Sequence, residues 1–204
     1  MDHFRTYYES AYNSDEYYWG LEPAEFCDEL IAICPPKEKT TVLDIGCGEG
    51  KDAVYFAKKG YIVDGFDITE SGIRKTNALA NKNGVTINAW MDDVNTFDID
   101  KEYDIVYSTG TVQYLFDENK KSFFDKIKKI TKKGGIVFFN VFVEKSFLEL
   151  PPDWDYEEKM WKTGELFSYF ADWEVIRIDE TIFDCNSGSV PHKHCMDTII
   201  CKKR

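Results

Sequence analysis

An apolar run, Val42-Leu43-Asp44-Ile45, ends in Gly46-Cys47-Gly48-Glu49-Gly50-Lys51, and a second run, Tyr61 to Phe66, ends in Asp67. A strand that feeds a glycine-rich turn and opens a helix holds a nucleotide-like ligand at the helix N-terminus. An acid about 20 residues on, at the end of the next strand, can accept both ribose hydroxyls. Gly46 and Gly48 permit close backbone approach, and Gly50 lets the helix begin near the sheet. The charge in the turn narrows the ligand. Asp44 and Glu49 would repel a pyrophosphate and suit a ligand with positive charge beside its nucleoside. The Gly-x-Gly-x-Gly spacing also argues against a nicotinamide-dependent oxidoreductase.

The rest of the chain supplies a sheet for this turn. A helix is expected over Pro23–Ile33, ended by Pro35-Pro36. Strands are expected at 41–45, 61–67, 85–91, 103–108 and 136–142, with helices at 52–59, 69–81 and 119–130 between them. Gly134-Gly135 turns the chain into the fifth strand, an almost unbroken apolar run suited to burial on both faces. An irregular insertion over about 144–162 and a short helix at 165–171 follow. Strands at 173–183 and 194–201 then form an antiparallel hairpin joined by 184–191. The expected fold class is α/β: one domain over 1–204, a Rossmann-like doubly wound sheet of seven strands, mostly parallel with a C-terminal antiparallel hairpin, and helices on both faces.

Composition excludes several classes. The 204 residues are 43% hydrophobic and 16% aromatic, which suits one domain with a sizeable core. A net charge of −12 is the wrong sign for tracking phosphates, so no nucleic-acid partner is expected. There is no apolar run long enough for a bilayer and no signal-peptide pattern, so the expectation is a cytoplasmic protein without a membrane partner. Six cysteines without a Cys-x-x-Cys pair read as reduced. Cys185, His192, His194 and Cys195 fall close together; they are either metal ligands or incidental residues of a hairpin. Their spacing matches no common zinc pattern, so no metal is expected.

Asp44-Ile45-Gly46-Cys47-Gly48-Glu49-Gly50 resembles the first motif of class I S-adenosylmethionine-dependent methyltransferases. Asp67 stands where that family has its ribose-binding acid. Asp92-Asp93-Val94 resembles its adenine segment, Tyr103–Thr109 its fourth strand, and Lys133-Gly134-Gly135-Ile136 the turn before its fifth. The resemblance covers roughly Pro36 to the C-terminus. Tyr17–Pro23 and Lys162–Glu174 look like the TehB and thiopurine methyltransferase branch, which acts on small, soft nucleophiles. The cofactor implied is S-adenosyl-L-methionine, with S-adenosyl-L-homocysteine as product. The resemblance puts Asp44 near the methionyl ammonium, Gly46, Cys47 and Gly48 along the methionyl and ribose portion, and Asp67 on the ribose. It puts Asp93, backed by Val94, on adenine in preference to Asp92, and Ile68 on the adenine face. Ser108 and Thr109 would line the floor under the methyl, and Trp19 would also touch the cofactor.

The acceptor side is drawn from three regions. An N-terminal helical lid over about 1–35 carries Tyr7, Tyr8, Tyr17, Tyr18 and Trp19. Gln113 and Tyr114 follow the fourth strand. The 144–162 insertion would cover the site, with Trp154 and Trp161 as an apolar wall. His192 and His194, at alternate strand positions, share one face and could deprotonate an acceptor or pair with an oxyanion. Gln113, Tyr114, His192 and His194 are therefore the catalytic candidates. TehB-like enzymes carry a His-Arg pair and a further Arg near these strands, where this chain has Asp184-Cys185-Asn186. Tellurite is thus not the acceptor expected. The partner expected is a small-molecule methyl acceptor, such as a thiol or chalcogen oxyanion, and the chain is expected as a monomer or homodimer. A macromolecular acceptor, or a cofactor-binding module without turnover, is the alternative.

Overall fold

Both faces of the central strands are apolar, and the fold covers both. In a computed structural model, described for residues 2–149, 160–186 and 190–204, α1 (Asp2–Tyr12) and α2 (Phe26–Ile33) precede the sheet. Then come β1 (Thr41–Ile45), α3 (Lys51–Lys58), β2 (Ile62–Asp67), α4 (Glu70–Lys82), β3 (Ile87–Met91) and β4 (Tyr103–Ser108). A 3-10 turn at Val112–Tyr114 leads to α5 (Asp117–Ile130), β5 (Thr131–Phe142), α6 (Glu165–Ser168), β6 (Glu174–Cys185) and β7 (His192–Lys202).

The seven strands lie in the order β3-β2-β1-β4-β5-β7-β6. The first five are parallel, and β7 runs antiparallel to both β5 and β6. Alternate residues feed opposite cores. Leu43, Ile45, Phe66, Val106 and Phe139 join α5 and α6 through Phe123, Phe124, Ile127 and Leu166. Val42, Val63, Ile105, Tyr107 and Phe138 join α2, α3 and α4 through Leu30, Phe56 and Leu79. A strand sandwiched in this way must be apolar throughout, which is why β1 is fully buried. Between β1 and β4 the chain reverses its direction of travel across the sheet. Open α/β sheets bind ligands at such a switch point, beyond the carboxyl ends of the strands.

Several boundaries differ from expectation. β5 starts at Thr131, five residues early, because the ladder to β4 continues past Gly134-Gly135 through a register shift rather than breaking there. β7 starts at His192, which shortens the hairpin connection. The short helix stops at Ser168. Trp161 does not form a wall of the site. It is 1% exposed in the core, packed on Phe124 and Tyr169 with the Lys120 ammonium 3.9 Å from its ring centroid. Its fixed place follows from bridging Val143 and from Trp161 N–H donating to the Phe142 carbonyl. Trp154 lies outside the described residues. No helix among the described residues is long and apolar enough to cross a membrane.

Candidate active site

The glycine turn closes onto the end of β2. Gly46 and Cys47 both donate backbone N–H groups to the Phe66 carbonyl, at 2.8 and 2.9 Å, and Gly48 N–H donates to Asp67 Oδ2 at 3.0 Å. Gly46 has φ of 74°, and a Cβ there would lie 1.9 Å from Thr111 Oγ1. A Cβ on Gly48 would meet the Tyr12 hydroxyl at 3.2 Å. The turn is therefore bare backbone, held down from beneath by β2 and roofed by side chains from elsewhere in the chain. Cys47 is buried beside Asp44 and Asp67, and burial followed by those two acids pushes its thiol pKa well up. It offers backbone, not a thiolate.

The acids of the turn have distinct surroundings. Glu49 accepts from Lys75 Nζ at 2.8 Å and from the Trp19 backbone N–H at 3.3 Å. Its charge is matched, and it anchors the N-terminal segment. Asp52 accepts from Ala24 N–H at 2.8 Å, Lys51 Nζ at 3.2 Å and the Tyr107 hydroxyl at 2.9 Å. Asp44 is different. It is 3% exposed, and its Oδ2 is buried with no hydrogen-bond partner. Burial, then the Asp52 charge, holds its carboxyl well above the usual range, and only Lys51 notably opposes them. A buried carboxylate oxygen without a donor is costly, so this position calls for a cationic hydrogen-bond donor. The positive-charge demand read from the sequence thus falls on Asp44, not on Glu49. Asp67 carries its own support: Oδ1 accepts from Thr69 N–H at 2.9 Å and the Thr69 hydroxyl at 2.6 Å. Each carboxylate oxygen retains further acceptor capacity.

A cavity of about 470 Å³ opens above the turn. Its floor is Asp44, Gly46–Glu49, Asp67, Ile68, Thr109 and Thr111 at the strand ends. Its roof comes from α1 and the segment after it. Tyr8 and Tyr114 meet hydroxyl to hydroxyl at 2.8 Å, and Trp19 Nε1 donates to the Tyr12 hydroxyl at 2.9 Å. Burial pushes both Tyr8 and Tyr12 far up, so both remain phenols. Glu9 pins α1 in place by accepting from Glu70 N–H and Ser71 N–H at 2.8 and 3.0 Å, an anion on the N-terminus of α4. The far wall contains Gln113, Tyr114, Phe142, Phe183, Cys185 and His194. Gln113 is 8% exposed and its Oε1 is buried without a partner.

The other candidates fall less uniformly. Val94 and Asp92 line the cavity, but Asp93 does not. Asp93 Oδ1 turns onto Asn95 N–H at 2.8 Å and its carbonyl accepts from Thr96 and Phe97, so it builds the turn after β3. Ser108 is fully buried and donates to the Ile45 carbonyl at 2.9 Å, a strap between β4 and β1 away from the cavity. His194 lines the cavity; His192 stands behind it, the two Nε2 atoms 2.9 Å apart. Cys195 separates from the cluster expected around it. Its side chain takes the opposite strand face, buried near Glu180 and Asp197.

The sequence matches the model of the tellurite resistance protein TehB over residues 6–189. This chain belongs to the TehB family. A Haemophilus influenzae relative, described as a probable S-adenosyl-L-methionine-dependent methyltransferase TehB, is 28% identical over 176 residues, 84% of this chain and 57% of its own length. The chain thus spans little more than half of that TehB. An Ilyobacter polytropus malonyl-[acyl-carrier protein] O-methyltransferase is 26% identical, covering 86% of this chain and 70% of its own. The crystal structure of Haemophilus influenzae TehB superposes with a TM-score of 0.79 at 23% identity, over 98% of this chain and 67% of that one. A structure titled for conversion of a disulfide bond into a thioacetal group in echinomycin biosynthesis gives a TM-score of 0.74 at 18% identity, over 99% and 91%.

Set in the TehB fold, three cavity residues stand out that the motifs do not mark: Tyr12, Thr111 and Phe183. The Asp92-Asp93-Val94 segment does mark Asp92, and the fold turns it rather than Asp93 toward the cavity, its backbone N–H continuing the β3 edge to the Asp67 carbonyl at 3.0 Å. Tyr12, Thr111 and Phe183 come from elements remote in sequence, and only the assembled TehB fold brings them to the turn.

Proposed function

We propose that this TehB-family chain is an S-adenosylmethionine-dependent methyltransferase acting on a small, soft nucleophile such as a thiol or a chalcogen oxyanion. The observation that carries the reading is Asp44 Oδ2, buried and unpartnered beside a glycine turn that lines the cavity. A ligand with an ammonium and a nucleoside answers both features. Asp44 would hold the ammonium and the Gly46–Gly48 backbone would run beside the methionyl and ribose portion. Asp67 would take the ribose hydroxyls. Asp92 replaces Asp93 as the proposed adenine partner, with Ile68 and Val94 against the base. When bound, the cofactor supplies an electrophilic methyl group on a sulfonium.

The chain's own residues then have two tasks, alignment and exclusion of water. Alignment of two reactants contributes a large share of the rate in a displacement of this kind. The segment over about 1–35 acts as a lid, with Tyr8, Tyr12 and Trp19 closing over the turn. Gln113, Tyr114 and the His192–His194 pair make up the acceptor side. An enclosed aromatic pocket and a net charge of −12 support a small acceptor over RNA. Two experiments test the reading. Titration calorimetry with S-adenosylhomocysteine should give tight, one-to-one binding, and its absence would sink the cofactor assignment. A screen for S-adenosylhomocysteine release with thiols, thiopurines, selenite, tellurite, halides, phenols and amines should then favour the sulfur and selenium acceptors.

A further inference from the structure

Three soft ligands converge where β6 and β7 reach the cavity. Cys185 and His192 stand opposite each other across the antiparallel ladder, and His194 follows two residues on, so the three side chains share one face. One ligating atom from each lies within 4.8 Å of the other two. His192 Nδ1 is 2.7 Å from the Val190 carbonyl oxygen. A carbonyl only accepts, so Nδ1 carries the proton and Nε2 is the nitrogen turned toward His194. An imidazole that donates outward to a backbone carbonyl and presents its other nitrogen inward is oriented as metal-bound histidines are. His194 is buried against the rings of Phe142 and Phe183, with centroids 4.6 and 5.6 Å away, which gives the cluster an apolar shell.

We propose that Cys185, His192 and His194 form a binding site for zinc, with the fourth coordination position open to the cavity. One thiolate and two imidazoles select a borderline-soft ion over magnesium or calcium. Tetrahedral zinc with bonds of about 2.0–2.3 Å sets its ligand atoms roughly 3.3–3.7 Å apart. The Nε2 atoms, at 2.9 Å, need only spread by about half an ångström to admit it. Three protein ligands with a fourth position left for water or substrate is the pattern of a working zinc site, not a structural one. Cys185 and His194 both line the cavity, so the free position faces the acceptor space.

For the acceptor, this rests on the methyltransferase reading above. A thiol would displace water from the fourth position, its sulfur binding the metal while its S–H proton leaves to solvent. The resulting thiolate is held against the cavity without a dedicated base.

Cobalt(II), the spectroscopic stand-in for zinc, tests the site directly on metal-free, tag-free protein. One ion per chain should bind with the visible bands of tetrahedral cobalt and a sulfur-to-cobalt charge-transfer band. Cys185→Ser should remove the sulfur band, and His192→Asn and His194→Asn should each weaken binding at least about tenfold. Cys195→Ser, on the other strand face, should leave the spectrum unchanged. Circular dichroism confirms that each variant is folded. No binding, an octahedral spectrum, or a sulfur band that survives Cys185→Ser overturns the site. Propanethiol added to the cobalt form should intensify the sulfur band, and an unaltered band overturns the open position. S-adenosylhomocysteine titrated into metal-free protein separates failure of the zinc site from failure of the cofactor reading.

Discussion

Gly48 gives its backbone N–H to Asp67 Oδ2 at 3.0 Å, so the acid at the end of β2 holds the crest of the turn that follows β1. The other oxygen holds Thr69, the N-cap of α4. Asp67 therefore shapes the site as well as facing it. Asp67→Asn swaps one acceptor oxygen for an NH2 that must confront a donor. S-adenosylhomocysteine affinity should fall at least tenfold, and chemical denaturation should show a loss of about 1–3 kcal/mol. Lost stability with unchanged affinity would leave Asp67 a purely structural residue.

Asp44→Asn should separate binding from stability in the opposite sense. Removing a buried charge relieves desolvation, so the free protein should melt no lower, while S-adenosylhomocysteine binding loses about 1.5–3 kcal/mol of charge-assisted hydrogen bonding. A drop in melting temperature with unaltered affinity would contradict the ammonium assignment.

The same carboxyl predicts a pH dependence. In an unfolded chain an Asp titrates at about 3.9; in the fold, burial and Asp52 raise Asp44 well above that. Between the two values the folded state keeps a proton that the unfolded state has lost. The contribution of Asp44 to stability therefore falls as pH rises through that window and is level above it. A cationic ligand favours the ionised form, so binding within that window should expel the proton. Calorimetry in two buffers of different ionisation enthalpy should show it as a buffer-dependent binding enthalpy, absent in Asp44→Asn.

Gly46→Ala should unseat Thr111, whose Oγ1 would lie 1.9 Å from the new Cβ. Thermal stability and S-adenosylhomocysteine binding should both drop. Adding Thr111→Gly removes the collision but not the left-handed backbone, which costs roughly 1–2 kcal/mol for a residue with a Cβ. The double variant should thus recover only part of the stability, and full recovery would show that the backbone conformation is not strained.

Tyr8→Phe and Tyr114→Phe each break the 2.8 Å contact between roof and wall. Each should speed S-adenosylhomocysteine release in stopped-flow measurements, and the double variant should be little faster than either one. A coupling of about 1 kcal/mol is expected from one buried hydrogen bond. Additive effects would mean that the two hydroxyls act on different partners.

Local chemistry made most of the fold legible. β1, the turn, α3 and β2 are written in contiguous residues, because strand, glycine turn and capped helix each carry their own signature. Thr69 reads as an N-cap from sequence, and its hydroxyl does accept from Gly72 N–H. The candidate site is legible where a residue's direction follows from its strand position, as with Asp44, Asp67 and His194, or where a motif marks it, as with Gly46, Gly48 and Val94. Asp92 and Asp93 are adjacent and chemically identical, and what separates them is which carboxylate closes the turn through Asn95. Trp161 looked like a pocket wall because its core partners, Phe124 and Tyr169, lie in other elements. Ser108 ends a strand as a floor residue should, yet the Ile45 carbonyl claims its hydroxyl.

The hairpin has a further consequence. β7 is paired on both sides only from Met196 to Lys202; its first residues, His192 to His194, form a ladder with β6 alone. The two histidines proposed for the acceptor side thus sit on an overhang beyond the strands paired on both sides, while Asp44 and Asp67, proposed for the cofactor, lie at strand ends inside that framework. Under the function proposed above, such a chain can exchange one acceptor for another over evolutionary time while the residues proposed to hold the cofactor are inherited unchanged.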